Sequence, residues 1–238
     1  MVVDADGRFL TQREEPGLAC VIPTISASGL VLAASDVGPL LLEANAATAA
    51  RREATVWQSR VPVLDGGDTA AAWISGLLHR EARLVRFDPA ARRESDRSFT
   101  PGMVALNRFS DGFPMLVLGN GSLRDLNDRL ERAGRVRLPM DRFRPNIVLD
   151  GLEPYEEDFV ARWTAGGMVL RPVKPCARCS IPSVDQSTGE PGPDPRDILS
   201  AYRLHPRFGV VLGQNVVAES GIGGELRLDQ PLVEEWSF

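Results

Sequence analysis

The sequence is poor in several residue types that form cross-links or metal sites. Its 238 residues include 3 cysteines, 2 histidines and a single lysine, Lys174, and aromatic residues make up 6% of the chain. Three cysteines do not build a disulfide framework, and an odd number leaves at least one free thiol. We therefore expect a reducing compartment, the cytoplasm.

Long apolar runs and basic clusters are also missing. No window approaches the roughly 18 apolar residues of a membrane span, and the amino terminus has neither the basic nor the apolar region of a secretory signal. The 27 basic residues are scattered, and the net charge is -5. Because such a chain offers no cationic track for phosphates, we expect a soluble protein with no nucleic-acid partner and no membrane span.

The remaining composition indicates a globular protein with many turns. Hydrophobic residues make up 43% and charged residues 25%, and there are 22 glycines and 18 prolines. These values favour a barrel-like or mixed β protein over a helical bundle. The sequence predicts the α+β class, predominantly β, with a few short helices.

Short apolar runs between turn residues predict the individual elements. We expect strands at residues 8–11, 18–22, 30–33, 40–42, 55–57, 61–64, 84–87, 115–118, 143–149, 168–171, 210–217 and 226–228. Helices are expected at 69–79 after an Asp68 N-cap, at 122–133 after a Ser122 N-cap, and at 197–204. Residues 46–52 fit a helical turn or a loop, and the charged residues 88–98 fit a linker.

Residues 173–180 concentrate the reactive side chains. Lys174, Cys176, Arg178 and Cys179 lie within six positions, and prolines at 172, 175 and 182 stiffen the segment. A charged, proline-flanked segment is an unusual place for two inert buried thiols, although that remains the default for an isolated pair. We therefore expect a ligand-binding loop.

A Cys-x-x-Cys motif has three chemical uses. A zinc site needs two further ligands, but Cys20, His79 and His205 do not occur at paired spacing. A redox pair should open a helix, and the sequence after Cys179 opens one poorly. In the third use, one thiolate binds a transition metal, and Lys174 would favour the thiolate or bind an anionic cofactor.

The wider pattern carries a family resemblance. Its motifs are Lys174-Pro175-Cys176-Ala177-Arg178-Cys179, Val184-Asp185, Thr188-Gly189, Phe143-Arg144-Pro145-Asn146-Ile147-Val148 and Gly213-Gln214-Asn215. Together they resemble the MOSC domain of molybdenum cofactor sulfurases, and more closely the mitochondrial amidoxime-reducing components and their bacterial relatives. Residues 7–16 resemble the β-barrel domain that precedes MOSC. The resemblance implies a partial N-terminal β-barrel domain at 1–90 and a barrel-like MOSC domain at 99–235.

The resemblance also implies a cofactor site. Cys179 matches the molybdenum ligand and the catalytic position, and Cys176 matches a neighbour that does not bind the metal. The residues that match positions around a molybdopterin-type cofactor are Arg144, Asn146, Asp111, Gly112, Lys174, Arg178 and Asn215. Asp185 and Thr188 are expected to hold the cysteine segment in its turn.

The implied function is a molybdenum oxidoreductase that reduces small N-hydroxylated molecules. Its electrons would come from a separate donor of the ferredoxin, cytochrome b5-like or flavin reductase type. The alternatives are a molybdenum cofactor or sulfur carrier without turnover, and an inactive truncated member. The inactive, truncated member is included because the family's proline-isoleucine-lysine-serine strand has no counterpart here. The first barrel is therefore expected to lack a strand.

These matches predict different outcomes for the two cysteines of the motif. Cys179→Ala should abolish molybdenum retention because it removes the metal's protein ligand, whereas Cys176→Ala should largely preserve it. Elemental analysis of protein purified from a cofactor-producing host measures molybdenum per chain. Equal losses in the two variants would contradict the single-ligand assignment.

Overall fold

The computed structural model of the protein describes residues 1–35, 37–43 and 50–237. The chain divides into two compact units. The first contains Met1–Arg93 and Ser183–Pro193, and the second contains Glu94–Pro182 and Asp194–Phe238. The first division falls within the charged stretch 88–98.

The described residues of the first unit form two antiparallel sheets and one α-helix. Its strands are β1 (Val2–Val3), β2 (Ile22–Ser26), β3 (Gly29–Ala34), β4 (Val37–Glu43), β5 (Arg51–Val56), β6 (Ser59–Asp65) and β7 (Arg83–Phe87). One sheet has the order β1-β7-β6-β5, and the other has the order β2-β3-β4. Helix α1 (Asp68–Leu78) connects β6 to β7.

Helix α1 packs into the main core of the first unit. Ile74 is fully buried and belongs to one apolar cluster with Leu32, Leu40 and Leu84. These leucines lie in β3, β4 and β7, so the helix joins both sheets in a single core. Burying one such side chain contributes roughly 1.5–3 kcal/mol.

Some predicted elements of the first unit were wrong. Residues 18–20 belong to a 3₁₀ helix, Pro16–Cys20, because Pro16 is suited to a first helical turn. Residues 8 and 9 form isolated bridges instead of a strand. The prediction for residues 46–52 falls largely outside the described residues, since 44–49 are not among them.

Asp68 does not cap α1 as the sequence predicted. The N-cap is Gly67, whose φ of 87° suits glycine, and its N–H donates to the Asp65 carboxylate over 2.8 Å. Asp68 forms the first helical residue, and its carboxylate pairs with Arg83 at 2.8 Å. The acidic residue therefore contributes charge to the first turn and no cap.

The second unit is built on one large sheet with helices beside it. Its strands are β8 (Arg93–Glu94, at the division), β9 (Leu106–Asn107), β10 (Met115–Gly119), β11 (Ile147–Leu149), β12 (Val160–Ala165), β13 (Met168–Ala177), β14 (Leu204–His205), β15 (Gly209–Ser220) and β16 (Val233–Trp236). Its helices are α2 (Asn120–Arg132) and α3 (Arg196–Ser200), with 3₁₀ helices at Met140–Phe143, Glu156–Phe159 and Ile181–Ser183.

The large sheet has the order β11-β10-β15-β13-β12-β16, and β14 also pairs with β15. Strands β10 and β11 are parallel, and the other pairs are antiparallel. The predicted leucine stripe Leu123, Leu126 and Leu130 is confirmed, and it packs against Phe143. The predominantly β, α+β class is likewise confirmed. Among the described residues, no helix combines the length and apolar character needed to cross a membrane.

Three predictions in the second unit were wrong in detail. Strand character in 143–149 begins only at Ile147, because Arg144 takes a left-handed conformation with φ 53°. Residues 226–228 are not a strand; Leu228 is 97% exposed, and the closing strand is β16. Ser122 lies inside α2, which begins at Asn120.

Ser122 instead joins a buried polar cluster at the start of α2. Its hydroxyl donates to the Glu157 carboxylate over 2.6 Å, and the Gly119 N–H donates to the same carboxylate over 3.3 Å. Glu157 is fully buried. A distant carboxylate thus takes the position that a local cap would occupy at this helix N-terminus.

We predict that Glu157→Ala lowers the free energy of unfolding by about 1–3 kcal/mol, because Ser122 and Gly119 lose their buried acceptor. Urea unfolding measures this loss, and the exposed Glu225→Ala serves as a near-neutral control.

The pH dependence gives a second measurement on the same residue. Burial raises the pKa of Glu157 above its ordinary value, and the bonds from Ser122 and Gly119 only partly oppose this. Its contribution to stability is therefore full below the unfolded-state pKa and is lost as pH rises through the folded-state pKa. Glu157→Gln should not show this pH-dependent loss of stability. The free energy of unfolding of the variant, relative to wild type, should therefore increase as the pH rises. A constant difference between pH 4 and 8 would contradict the assignment.

Candidate functional site

The cysteine segment begins inside a strand. Lys174 and Cys176 belong to β13, whereas Arg178 and Cys179 follow its end. The pairing of β13 with β15 shifts register between Pro172 and Lys174, and again between Pro175 and Ala177. Because proline has no N–H to donate, each shift falls where the ladder is weakest. The prediction of one continuous loop was therefore wrong for the first half of the segment.

Three of the predicted cofactor residues lie in one row across the sheet. Leu116 of β10 pairs with Asn215 of β15, which pairs in turn with Lys174 of β13. On the other side of Leu116, the Asn146 backbone N–H donates to the Leu116 carbonyl over 2.8 Å. Four neighbouring segments thus place Asn146, Asn215 and Lys174 in one cross-strand row.

Both asparagine side chains also bond to the backbone. Asn146 Oδ1 accepts the Leu116 N–H over 2.8 Å, and Asn215 Nδ2 donates to the Pro175 carbonyl over 3.4 Å. Asn146 therefore extends the β10–β11 pairing by one residue, and Asn215 holds the bulged part of β13. Among the described residues, Asn146 Nδ2 has no acceptor, so this donor is the part of the amide that a ligand could use.

Arg178 connects the cysteine segment to the turn that precedes Arg144. Its Nη2 donates to the Phe143 carbonyl over 3.0 Å, and its Nη1 donates to Cys176 Sγ over 3.3 Å. The guanidinium carbon lies 5.4 Å from the Phe143 ring centroid. Its Nε is buried without an acceptor among the described residues. Arg178 is therefore held in place with its buried Nε–H unused.

The two motif cysteines have different surroundings. Both thiols are half-buried and free, but Cys176 receives the Arg178 hydrogen bond, whereas Cys179 lies in the field of Arg196. The pKa of Arg196 is raised, first by its hydrogen bond to Asp194 and also by its electrostatic interaction with Cys179. Arg196 therefore provides positive charge near the sulfur that the sequence matched to a metal ligand.

The predicted loop residues Asp111 and Gly112 are exposed and precede a buried anchor. Phe113 packs with Ala105 and Val217, and its ring centroid lies 5.9 Å from that of Phe99. A Cβ built on Gly112 would meet no protein atom within 4 Å. The backbone at Gly112 is therefore open to a ligand.

Lys174 lies in an aromatic cluster instead of an ion pair. Its Nζ is 5.0 Å from the ring centroids of both Phe99 and Phe208. His205 stacks on Phe208 with centroids 4.6 Å apart. These aromatic neighbours are 75 and 34 positions away in the sequence, so the cysteine motif alone gave no sign of them.

Asp185 and Thr188 make side-chain hydrogen bonds within their own turn, and that they hold the cysteine segment stays a prediction. The Asp185 carboxylate accepts the Ser187 N–H over 2.9 Å and the Thr188 N–H over 3.2 Å. Thr188 Oγ1 accepts the Glu190 N–H over 3.2 Å. Both side chains therefore stabilise this turn.

Sequence reasoning missed Arg196, Phe99 and Phe208. A basic residue two positions after Asp194, at the start of a predicted helix, was the available signal for Arg196.

Among the described residues, no group of three or more His, Cys, Asp or Glu side chains could hold a metal ion.

The fold and the site define a β-rich protein with two half-buried thiols, each near one arginine, and the family comparison agrees with that description. Residues 106–231 match the MOSC domain, and residues 1–81 match the MOSC N-terminal beta barrel domain. The chain belongs to the MOSC domain family.

Individual relatives narrow the comparison. Mitochondrial amidoxime-reducing component 1 of Mus musculus is 36% identical over 86% of this chain and 60% of its own length. Mitochondrial amidoxime reducing component 2 of Homo sapiens is 31% identical over 86% of this chain and 61% of its own length. Molybdenum cofactor sulfurase of Drosophila erecta is 30% identical over 89% of this chain and 26% of its own length. The chain thus spans about three fifths of the amidoxime-reducing components.

The chain of a solution structure from Bordetella bronchiseptica is 28% identical in sequence. The match covers 37% of this chain and 71% of that chain, with a TM-score of 0.35. That score is too low to support an argument.

We predict that Arg178→Met lowers the free energy of unfolding by about 1–2 kcal/mol, because the Phe143 carbonyl loses a charged donor in a partly buried place. Urea unfolding compares it with Arg227→Met, which alters an exposed arginine. If both variants unfold like wild type, Arg178 does not fix the Phe143–Arg144 turn.

Proposed function

We propose that this chain binds the molybdenum cofactor through Cys179 and reduces small N-hydroxylated molecules. The observation that carries the proposal is the half-buried Cys179 thiol beside Arg196, within the residues matched to the MOSC domain. The names of the amidoxime-reducing relatives support the reaction class.

The residues present fit such a cofactor. A thiolate is the type of ligand that a soft metal centre takes, and one protein thiolate does not require a cluster of His and carboxylate ligands. The unused, buried Nε of Arg178 offers a charged donor to an anionic group. The open backbone at Gly112 leaves room for a ligand to approach.

When bound, the molybdenum centre would supply the electron and oxygen-transfer chemistry. The chain would bind and orient it. Arg144 and Arg178 would hold its phosphate or its charged edge, and Asn146 would donate from Nδ2. Asn215 would keep the bulge of β13 in place, and Asp111 with Gly112 would approach the cofactor from their loop.

Electrons would come from a separate protein of the ferredoxin, cytochrome b5-like or flavin reductase type. Three cysteines are fewer than the four that an iron–sulfur cluster usually takes, so the described chain needs an external donor. The domain boundaries 1–90 and 99–235 and a cytoplasmic location belong to the same proposal.

A carrier of the cofactor or of sulfur is the second candidate, and the relationship to molybdenum cofactor sulfurase supports it. A carrier would bind the same cofactor through the same thiol. Turnover therefore separates the two candidates, whereas binding does not.

The test uses protein from a cofactor-producing host, with reduced methyl viologen as electron donor and benzamidoxime as substrate. We expect benzamidine from the molybdenum-containing wild type and none from Cys179→Ala. Cys176→Ala is the matched control and should keep both metal and product formation. Wild type that contains molybdenum and forms no benzamidine would reject the reductase and leave the carrier, whereas wild type without molybdenum would reject both.

A further inference from the structure

A groove of about 700 Å³ lies in the second unit, and the proposed cofactor chemistry does not use it. Its walls come from the start of β12, the middle of β13, and the segment from Tyr202 to Pro206 around β14. This volume lies within the range of small-molecule sites.

The groove exists because two neighbouring strands separate. The pairing of β12 with β13 ends at Trp163 and Leu170, although β12 begins three residues earlier, at Val160, and β13 continues to Ala177. Pro172 and Pro175 follow in β13 and have no N–H for a ladder. The sequence of β13 thus leaves an opening beside β12.

The groove is distinct from most of the candidate cofactor set. Gln214 of β15 lines it, whereas the next residue, Asn215, does not. Lys174 is the strand partner of Asn215, so the groove adjoins the candidate cofactor row at this pair. Of the predicted site residues, Lys174 is the one that the described lining includes.

The deepest polar groups of the groove already have partners. Gln214 is 4% exposed, and its Nε2 donates to Asp158 Oδ1 over 2.6 Å. Arg203 pairs with Asp158 Oδ2 at 2.5 Å. These bonds hold the buried side of the groove in place and neutralise Asp158, the one carboxylate in the described lining.

The remaining charge on the lining is positive. Arg162 pairs with Glu219 at 2.6 Å, and Arg171 lies 3.6 Å from the same carboxylate. Lys174 has no ion pair within 4.0 Å among the described residues, and its ammonium lies against the Phe99 and Phe208 rings. The pKa of Asp96 is lowered, first by its bonds to Ser98 and also by Lys174, so an anion at this groove would share the charge of the single lysine with Asp96.

The apolar surface of the groove suits the rest of such a ligand. Val160, Pro172, Pro175 and Pro206 line it, and His205 stands beside them. We propose that this groove binds a small organic anion with a flat apolar body, and that Lys174 holds the anionic group. The inference does not require molybdenum.

The single lysine provides a site-specific signal. In the full-length protein labelled with [ε-¹³C]lysine, with its molybdenum content recorded, the Lys174 methylene gives one side-chain resonance. Benzoate should shift this resonance saturably. Benzamide, its neutral counterpart, should bind at least about tenfold more weakly.

Two matched variants locate the binding. Leu204 lines the groove and is 65% exposed, so Leu204→Glu places a carboxylate at its edge with little cost to folding. We expect it to weaken benzoate binding about tenfold or more. Leu228→Glu, at a 97% exposed position outside the groove, should bind benzoate like wild type.

The proposal is overturned if benzamide binds as well as benzoate, or if Leu204→Glu binds like wild type. It is also overturned if Arg144→Ala abolishes the shift while Leu204→Glu preserves it, because the anion would then occupy the cofactor site. None of these outcomes depends on turnover of benzamidoxime, so this inference and the proposed function can fail separately.

Discussion

The pairing of β13 with β15 is the constraint on which the second unit depends. Strand β15 lies between β10 and β13, and β13 carries the first part of the cysteine segment. Two register shifts let β13 bend where Pro172 and Pro175 cannot donate. The stretch that contains these prolines is irregular on both edges: its pairing with β15 shifts register, and the pairing of β13 with β12 ends before it, at Leu170.

Much of this could be predicted, because local patterns report local structure. The short apolar runs of β3, β6 and β7 and the leucines of α2 predicted these elements, which were found where expected. Asp68 and Ser122 were misassigned because a cap depends on what else can satisfy the helix N-terminus. Glu157 does so for α2, whereas Gly67 takes the N-cap position of α1, and neither is visible from the capping pattern alone.

The candidate site was predicted as a set of residues, and its geometry was not. The resemblance named Cys179, Arg178 and Asn146, but sequence spacing does not say that Arg178 bonds to the Phe143 carbonyl or that Asn146 bonds to Leu116. Such contacts join segments about thirty residues apart. Arg196 and Phe99 were missed for the same reason, since only the folded sheet brings them near Cys179 and Lys174.

The first unit takes a segment from late in the chain. Residues Ser183–Pro193 belong to it, and Gln186 bonds to Gln12 while Gly189 lies against Gly17. During synthesis the amino-terminal strands emerge first, but this segment leaves the ribosome only after most of the second unit has been made. The first unit therefore cannot complete its contacts as an independent early domain, and no single cut in the chain would separate two intact halves.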